Sequence, residues 1–490
     1  MGLFSKKKRR HIWGGVPFAD DELEPHFMVM GTSGSGKTLT IRMLMKSVLF
    51  DERGSFKNRC LIYDPKLDFY PILRGLGIPA HQIRVLHPLD DRCVAWDVAR
   101  DIVDPVSARQ LAATMCAVEE ADPNKYFSEA AQDILTAVIN CFRKHRSRSD
   151  GESTWFLNDL VEAVSSPERL LKVLEKEPEG RDAIQSHLAQ SDRTRASILS
   201  TLRTKAARYE NIGSLWMDRV PFSLAEDWLE GDEPSVLLIP TDEKNREALD
   251  AINRALIRRA SELVLSRPDN PGKEVWFFLD ELRLARKLEG LDELLLKGRS
   301  KEVRCVLGFQ SIEGLHHVYG RNAADELLSQ CGNKAILRLD SPQAMNWASD
   351  YFARAEFWQR SYSWSESRAA QGGSTTHGVQ KALREKPVIL PIEFREFPTA
   401  DKKVGITGAF TAPRLPPWKG TIKAKLVAKH LREERKADED AGFRRRTDHR
   451  AQERRIWRVE DYRRLDLQPE VDQGDGGADR QIEHISGPSN

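Results

Sequence analysis

Residues 31 to 38 read Gly31-Thr32-Ser33-Gly34-Ser35-Gly36-Lys37-Thr38, a complete G-x-x-x-x-G-K-[ST] pattern between the apolar stretch Phe27 to Met30 and a helix-like run from Leu39 to Leu49. Strand, glycine-rich turn and helix in that order commit this part of the chain to delivering a loop onto a helix N-terminus, where anions bind. The glycines let backbone N–H groups turn inward around a triphosphate. Lys37 can reach the β and γ phosphates, and the Thr38 hydroxyl can ligate Mg²⁺. A plain glycine-rich turn before an amphipathic helix is the alternative, and the two flanks weigh against it. ATP and Mg²⁺ are therefore the expected cofactors, with Gly31 to Thr38 as the cradle.

The chain has 490 residues, enough for two to four domains. Its 76 Lys and Arg against 74 Asp and Glu leave a net charge of +2, so any nucleic-acid surface has to be local. Six scattered cysteines (Cys60, Cys93, Cys116, Cys141, Cys305 and Cys331) form no C-x-x-C pair, which suits reduced thiols and argues against disulfides or a zinc site. No apolar run approaches the 18 residues of a membrane helix. The N-terminus carries Lys6 to Arg10 but no apolar core, so it reads as no signal peptide. Those cations can hold an anionic surface loosely or form a solvated tail.

Short apolar strands alternate with helical patterns, as a parallel α/β sheet requires. Strand candidates are Cys60 to Asp64, Ile83 to Leu86, Ser235 to Ile239, Val275 to Leu279, Cys305 to Phe309 and Ala335 to Leu339. Between about Asp104 and Glu210 the spacing turns helical throughout. Asp104 is placed to cap a first helix with Pro105 at its first position. The nucleotide domain is thus split around a helical insertion.

A second motif ends one of those strands. Val275-Trp276-Phe277-Phe278-Leu279 runs into Asp280-Glu281, so two acids leave a central strand at its carboxyl end. Beside a phosphate loop, Asp280 would hold Mg²⁺ through water and Glu281 would orient or deprotonate the attacking water. Gln310, directly after Cys305 to Phe309, can sense the γ-phosphate. Arg299, ending the next helix, can serve a neighbouring subunit's nucleotide, or can simply be a C-terminal charge on that helix.

The order of this phosphate loop, Tyr63-Asp64-Pro65-Lys66, Phe278-Leu279-Asp280-Glu281-Leu282, Gly298-Arg299 and Gly308-Phe309-Gln310-Ser311 resembles the coupling ATPases of type IV secretion and conjugation systems. Tyr126 to Ala131 and Thr194 to Leu202 resemble that family's all-alpha domain. The likeness runs from about 14 to 420. It implies an α/β, RecA-like P-loop NTPase domain with a central, mostly parallel sheet, split by an inserted all-alpha domain. It also implies a homo-hexameric DNA translocase or coupling protein, with DNA, relaxase or relaxosome proteins and secretion-channel components as partners. By position Lys37, Glu281, Gln310 and the trans-acting Arg299 would be catalytic, and Thr38 with Asp280 would serve the metal. Asp64 and Lys66 match a family turn without a firm chemical role.

The expected layout is a basic tail over 1–13, the nucleotide domain over 14–104 and 211–420, the insertion over 105–210 and a charged, partly disordered tail over 421–490. Full-length relatives begin with a membrane anchor that this sequence does not show, so a cytoplasmic protein, peripheral at the inner membrane, is expected. Two other readings stay open: a translocase of a mobile element without a secretion channel, and a protein-recruitment platform that pumps no DNA. The missing L-S-G-G-Q argues against an ABC-type ATPase. From Gly442 to Arg464 nine Arg stand against four acids, with Trp457 and Tyr462 among them. That stretch can track a phosphate backbone, or be a solvated helix. Trp358, Tyr362 and Trp364 alternate at strand spacing in a Ser- and Arg-rich stretch, either a hairpin facing a channel or an exposed sheet edge. Pro387 to Phe397 and Pro413 to Trp418 read as extended connections.

Overall fold

A computed structural model describes residues 11–19, 26–51, 53–118, 123–148, 154–352, 354–369, 372–413, 415–431, 442–446 and 454–468. The cationic run at 6–10 and the acidic end at 469–490 lie outside the described residues. Two compact units form, one within Met1–Asp101 and Ser214–Glu453, the other within Ile102–Gly213 and Arg454–Asn490.

The first unit is built on nine strands: β1 (Phe27–Met30), β2 (Arg59–Asp64), β3 (Ile83–Val85), β4 (Val236–Pro240), β5 (Val275–Leu279), β6 (Val303–Phe309), β7 (Asn333–Ile336), β8 (Gly405–Ala412) and β9 (Leu415–Lys423). Their spatial order is β9-β8-β7-β1-β6-β5-β2-β4-β3. The seven strands β1 to β7 run parallel, while β8 and β9 are antiparallel additions at one edge. Every residue of β1, β2, β4 and β5 is buried. That is why these segments read as unbroken apolar runs, the pattern of a sheet covered on both faces. One covering element is the helix α1 (Lys37–Val48), whose Ile41, Leu44, Met45 and Val48 share a buried cluster with Phe27, Ile62, Phe278 and Val306.

Each strand expected from sequence is present, Val275–Leu279 with the expected ends and the others with ends moved by up to three residues. Three expectations change. His11–Trp13 is not tail but half of a small hairpin with Val16–Phe18, and the buried Trp13 donates its indole N–H to the Thr411 carbonyl at 3.0 Å. Pro387 to Phe397 holds a helix, Pro391–Glu396, because Pro391 occupies the first helical position where no N–H is needed. Pro413 to Trp418 enters β9, where two prolines are tolerated since this strand has a neighbour on one side only.

The second unit is helical. Its main elements are Pro105–Met115, Lys125–Arg148, Leu157–Ala163, Pro167–Leu174, Pro178–Ala183 and Asp192–Ala206. Asp104 caps the first, accepting from the N–H groups of Val106 and Ser107 at 2.8 and 2.9 Å. The segment 454–468 belongs to this unit, so within 454–464 Trp457, Arg454 and Arg464 are neither a nucleic-acid surface nor a wholly solvated helix, while residues 447–453 of the stretch Gly442 to Arg464 lie outside the described residues. Trp457 and Tyr462 are buried. Asp159, with no solvent exposure, accepts from the Trp457 indole at 2.9 Å and from both terminal nitrogens of Arg464 at 2.8 and 2.9 Å. Arg454 likewise pairs with the buried Glu162 at 2.8 Å. These arginines neutralise acids of their own unit, since a buried carboxylate without a partner is costly.

Among the described residues no helix is long and apolar enough to cross a membrane.

Candidate nucleotide site

The carboxyl ends of β1, β5 and β6 lie side by side, so the loops leaving them converge. From β1 the chain turns through Gly31 to Gly36 into α1. A side chain at Gly31 would put its Cβ 2.5 Å from Ser35 Oγ and 2.9 Å from Leu337 Cβ, so only glycine fits. Gly34 and Gly36 take φ of +75° and +101°, in the left-handed region. Ser35 Oγ closes the turn by donating to the Thr32 carbonyl at 2.7 Å. Outside, Thr32 N–H donates to Arg338 O and Ala400 N–H to Gly34 O, both at 2.9 Å. Ser33 is exposed at the tip of the loop.

Asp280 and Glu281 leave β5 beside this loop. Thr38 Oγ1 donates to Asp280 Oδ2 at 3.1 Å. Burial pushes the Asp280 carboxyl upward, aided by the neighbouring Glu281 and opposed by Lys37, Lys66 and the Thr38 hydroxyl. Glu281 adopts a left-handed backbone at φ +57°, a conformation costing a non-glycine residue about 1–3 kcal/mol. Three groups hold its Oε1: Lys37 Nζ at 3.3 Å, Lys66 Nζ at 3.5 Å and Gln310 Nε2 at 3.1 Å. Lys37 and Glu281 are both buried.

The site suits a magnesium nucleotide by its donors. Thr38 and Asp280 supply hard oxygens, and α1 presents the N–H end of a twelve-residue helix to the loop. Among the described residues no cluster of three or more His, Cys, Asp or Glu could form an all-protein metal cage. A cation here would take its remaining ligands from phosphate and water, the habit of Mg²⁺.

Residues 10–415 match the type IV secretion-system coupling protein DNA-binding domain, which is most of the chain. This protein belongs to that family. Coupling protein TraD of Escherichia coli (strain K12) is 24% identical over 421 residues, covering 82% of this chain and 54% of TraD. The chain thus spans about half the length of that curated relative. The unbound monoclinic form of the bacterial conjugative coupling protein TrwBdeltaN70 superposes with a TM-score of 0.69 at 22% identity, covering 89% of this chain and 92% of that one. The plasmid coupling protein TrwB in complex with ADP and Mg²⁺ gives 0.65 at 21% identity, covering 86% and 91%. At such identities these structures establish the fold, a RecA-like P-loop NTPase with a large, mostly parallel sheet.

In this coupling-protein chain the structure brings together all the residues singled out from sequence except Arg299. Arg299 lies just ahead of the amino end of β6, whereas the phosphate loop sits at the carboxyl ends of the strands. Seven residues of β6 separate the two ends, about 20 Å at 3.3 Å per residue. It therefore cannot touch the nucleotide site of its own chain. Of two further contributors, Lys66 was noted from sequence without a role, and Gly308 was given none. Lys66 reaches Glu281 because the buried Asp64 carboxylate accepts the N–H groups of Lys66, Asp68 and Phe69 at 3.2, 3.1 and 2.9 Å and so folds the turn back. Burial pushes the Asp64 carboxyl up to about 6, against the pull of those bonds. Gly308 is the other: a Cβ there would lie 2.6 Å from Asp280 Oδ1. A glycine inside an otherwise apolar strand was the available signal.

Proposed function

We propose that this chain is a Mg²⁺-dependent ATPase that forms a homo-hexamer and moves DNA, or a relaxase–DNA complex, to a type IV secretion or conjugation channel. The observation that carries the reading is Glu281, held in a strained backbone at the mouth of the phosphate loop by Lys37, Lys66 and Gln310. A scaffold that only bound nucleotide would have no use for a carboxylate so placed.

In this mechanism Gly31 to Thr38 cradle the triphosphate, and Lys37 exchanges Glu281 for phosphate oxygens. Glu281 then accepts a proton from the attacking water on its carboxylate, with Lys66 and Gln310 on Oε1 keeping it aimed. Thr38 and Asp280 hold Mg²⁺, which neutralises charge developing on the phosphates. Gln310 reports the state of Glu281 to the helix that Ser311 caps, Ile312–Tyr319. Arg299, remote from its own site, completes the site of an adjacent subunit.

The test is the ATPase rate of the purified chain with and without single-stranded and duplex DNA. Lys37→Ala and Glu281→Gln are each expected to abolish turnover, and DNA is expected to raise the wild-type rate. A rate unmoved by either DNA would exclude the translocase reading.

A further inference from the structure

Between the helix Pro342–Tyr351 and the helix Pro391–Glu396 the chain leaves the nucleotide unit as a two-stranded antiparallel ribbon, Arg354–Ala369 with Gly372–Pro387. Its pairing is regular over all sixteen rungs, with Trp358 opposite Leu383, Arg360 opposite Lys381 and Tyr362 opposite Val379. Residues two apart on a strand, and those directly opposite, share a face. One face therefore presents three consecutive rungs: Trp358 with Leu383, then two cations, then Tyr362 with Val379. This face is bare. Trp358 is 68% exposed, Tyr362 75%, Val379 61% and Leu383 49%.

Two costs are built into that arrangement. Large apolar side chains stand in water on a ribbon that packs against no second layer, and isolated hairpins are marginal. Like charges also face each other at Arg360 and Lys381, which destabilises the pairing unless an anion lies between them. Neither cation enters an ion pair with another described residue, while acids elsewhere in the unit find arginines readily. Over the ribbon as a whole six Lys and Arg stand against three Glu, and on this face the rung before Trp358 pairs Glu356 with Glu385, which leaves Arg360 with Lys381 as the cationic rung between the two aromatics. An occupant that relieves both costs must bring flat apolar faces and regularly spaced negative charge together. A single-stranded nucleic acid does so, stacking bases on Trp358 and Tyr362 while a phosphate sits over Arg360 and Lys381. Duplex DNA cannot, because its bases are already stacked on one another.

We propose that this ribbon is a single-stranded DNA-binding finger, with Trp358 and Tyr362 as stacking platforms about 13 Å apart along the strand and Arg360 with Lys381 as the phosphate clamp between them. The inference rests on the DNA-motor reading above and names where on this chain the strand is held. The segments that flank the ribbon, each through one short helix, also reach the phosphate loop. The backbone leading into it bonds the loop from Arg338 O to Thr32 N–H, and the backbone leaving it bonds the loop from Ala400 N–H to Gly34 O. Ser349 Oγ clamps the base by donating to the Ile389 carbonyl at 2.7 Å, and Phe352 stacks on Phe394 with ring centroids 6.0 Å apart. A load on the finger thus pulls on the segments that wall the nucleotide.

The experiment uses the full chain, a fluorescein-labelled oligo(dT) and a duplex of equal length, read by anisotropy over a salt series. Trp358→Ala with Tyr362→Ala is expected to weaken oligo(dT) binding at least tenfold and to reduce its stimulation of ATP hydrolysis. Arg360→Gln with Lys381→Gln is expected to flatten the slope of log affinity against log salt by about 1.4, two phosphates at about 0.7 each. The four side chains are exposed, so the thermal midpoint and the DNA-free ATPase rate of both variants should match wild type. Wild-type affinity and slope in both variants would overturn the proposal while leaving the motor intact. Lost self-association with oligo(dT) affinity unchanged would overturn it too, by assigning the face to another copy of the chain. A wild-type chain that binds neither DNA would remove this proposal together with the function it rests on.

Discussion

Glu281 shows how a single residue collects the work of several segments. Its left-handed backbone is tolerated because three donors from the phosphate loop, the Asp64 turn and the end of β6 converge on one carboxylate oxygen. Gly308 is the clearest place to test that economy of space. In Gly308→Ala the new methyl would meet Asp280 Oδ1 at 2.6 Å and Asp280 Cα at 3.1 Å, so the carboxylate has to leave Thr38. Overpacking of this kind costs about 1–3 kcal/mol. The variant is expected to fold with a lowered thermal midpoint, and to need at least tenfold more Mg²⁺ for half-maximal ATPase activity. A magnesium titration checks it. The sequence reading found Asp280 and Glu281 but not Gly308, because the crowding comes from a residue 28 positions away on the neighbouring strand.

His26, at the entry to β1, gives a second residue-scale prediction, through pH. Its Nε2 lies 2.8 Å from the Leu295 carbonyl, and its Nδ1 accepts from the Cys305 N–H, a pairing that needs a neutral ring. Burial first, and Arg304 after it, lower its pKa to about 4 against the pull of the Leu295 carbonyl. Between about 6.5 and 4 the unfolded chain therefore binds a proton that the folded chain refuses, so stability is lost as pH falls through that window. The difference amounts to about 3 kcal/mol at most. Asp64 acts in the opposite sense: its raised value of about 6 favours the folded state at low pH, and that contribution fades as pH rises from about 4 to 6. His26→Gln is expected to flatten the acid side of the stability profile, measured by urea unfolding between pH 4 and 7.

At the scale of elements, the segment 454–468 is structural to the helical unit rather than an appendage. Its helix Val459–Arg464 has Asp461 reaching back to the Arg458 N–H at 2.9 Å. Arg464 and Arg454 satisfy Asp159 and Glu162, neither of which has any solvent exposure. Removing one partner of a buried pair costs about 3–5 kcal/mol. Ending the chain before Arg454 is therefore expected to lower the melting temperature of the helical unit by several degrees or unfold it, as followed by circular dichroism. Arg464→Ala alone should show a smaller fall in the same direction. Composition suggested a nucleic-acid surface here because arginines near aromatics look alike whether they face a polyanion or a buried aspartate.

For the whole molecule, the prediction concerns assembly. Arg299 and the phosphate loop lie at opposite ends of the strands of one sheet, so a working site needs two copies of the chain if Arg299 is catalytic. Lys37→Ala and Arg299→Ala are each expected to be inactive alone. Mixed, they should recover a measurable fraction of the wild-type ATPase rate, because some interfaces then pair an intact Lys37 with an intact Arg299. Mixtures as inactive as their components would leave Arg299 as the charged end of its helix.

Local chemistry is what the sequence by itself determined. The glycine spacing at Gly31, Gly34 and Gly36, the buried runs of β1, β2 and β5, the acids ending β5 and the Asp104 cap all follow from neighbours a few residues apart. Their identities leave few backbone conformations open. Tertiary structure decided which distant groups share space: Lys66 with Glu281, Gly308 with Asp280, Trp13 with Thr411, Arg464 with Asp159. It also decided that the aromatics Trp457 and Tyr462 are buried beside their arginines while Trp358 and Tyr362 stand exposed on the ribbon. Those outcomes depend on strand order and on competition for buried partners, which no single stretch of residues encodes.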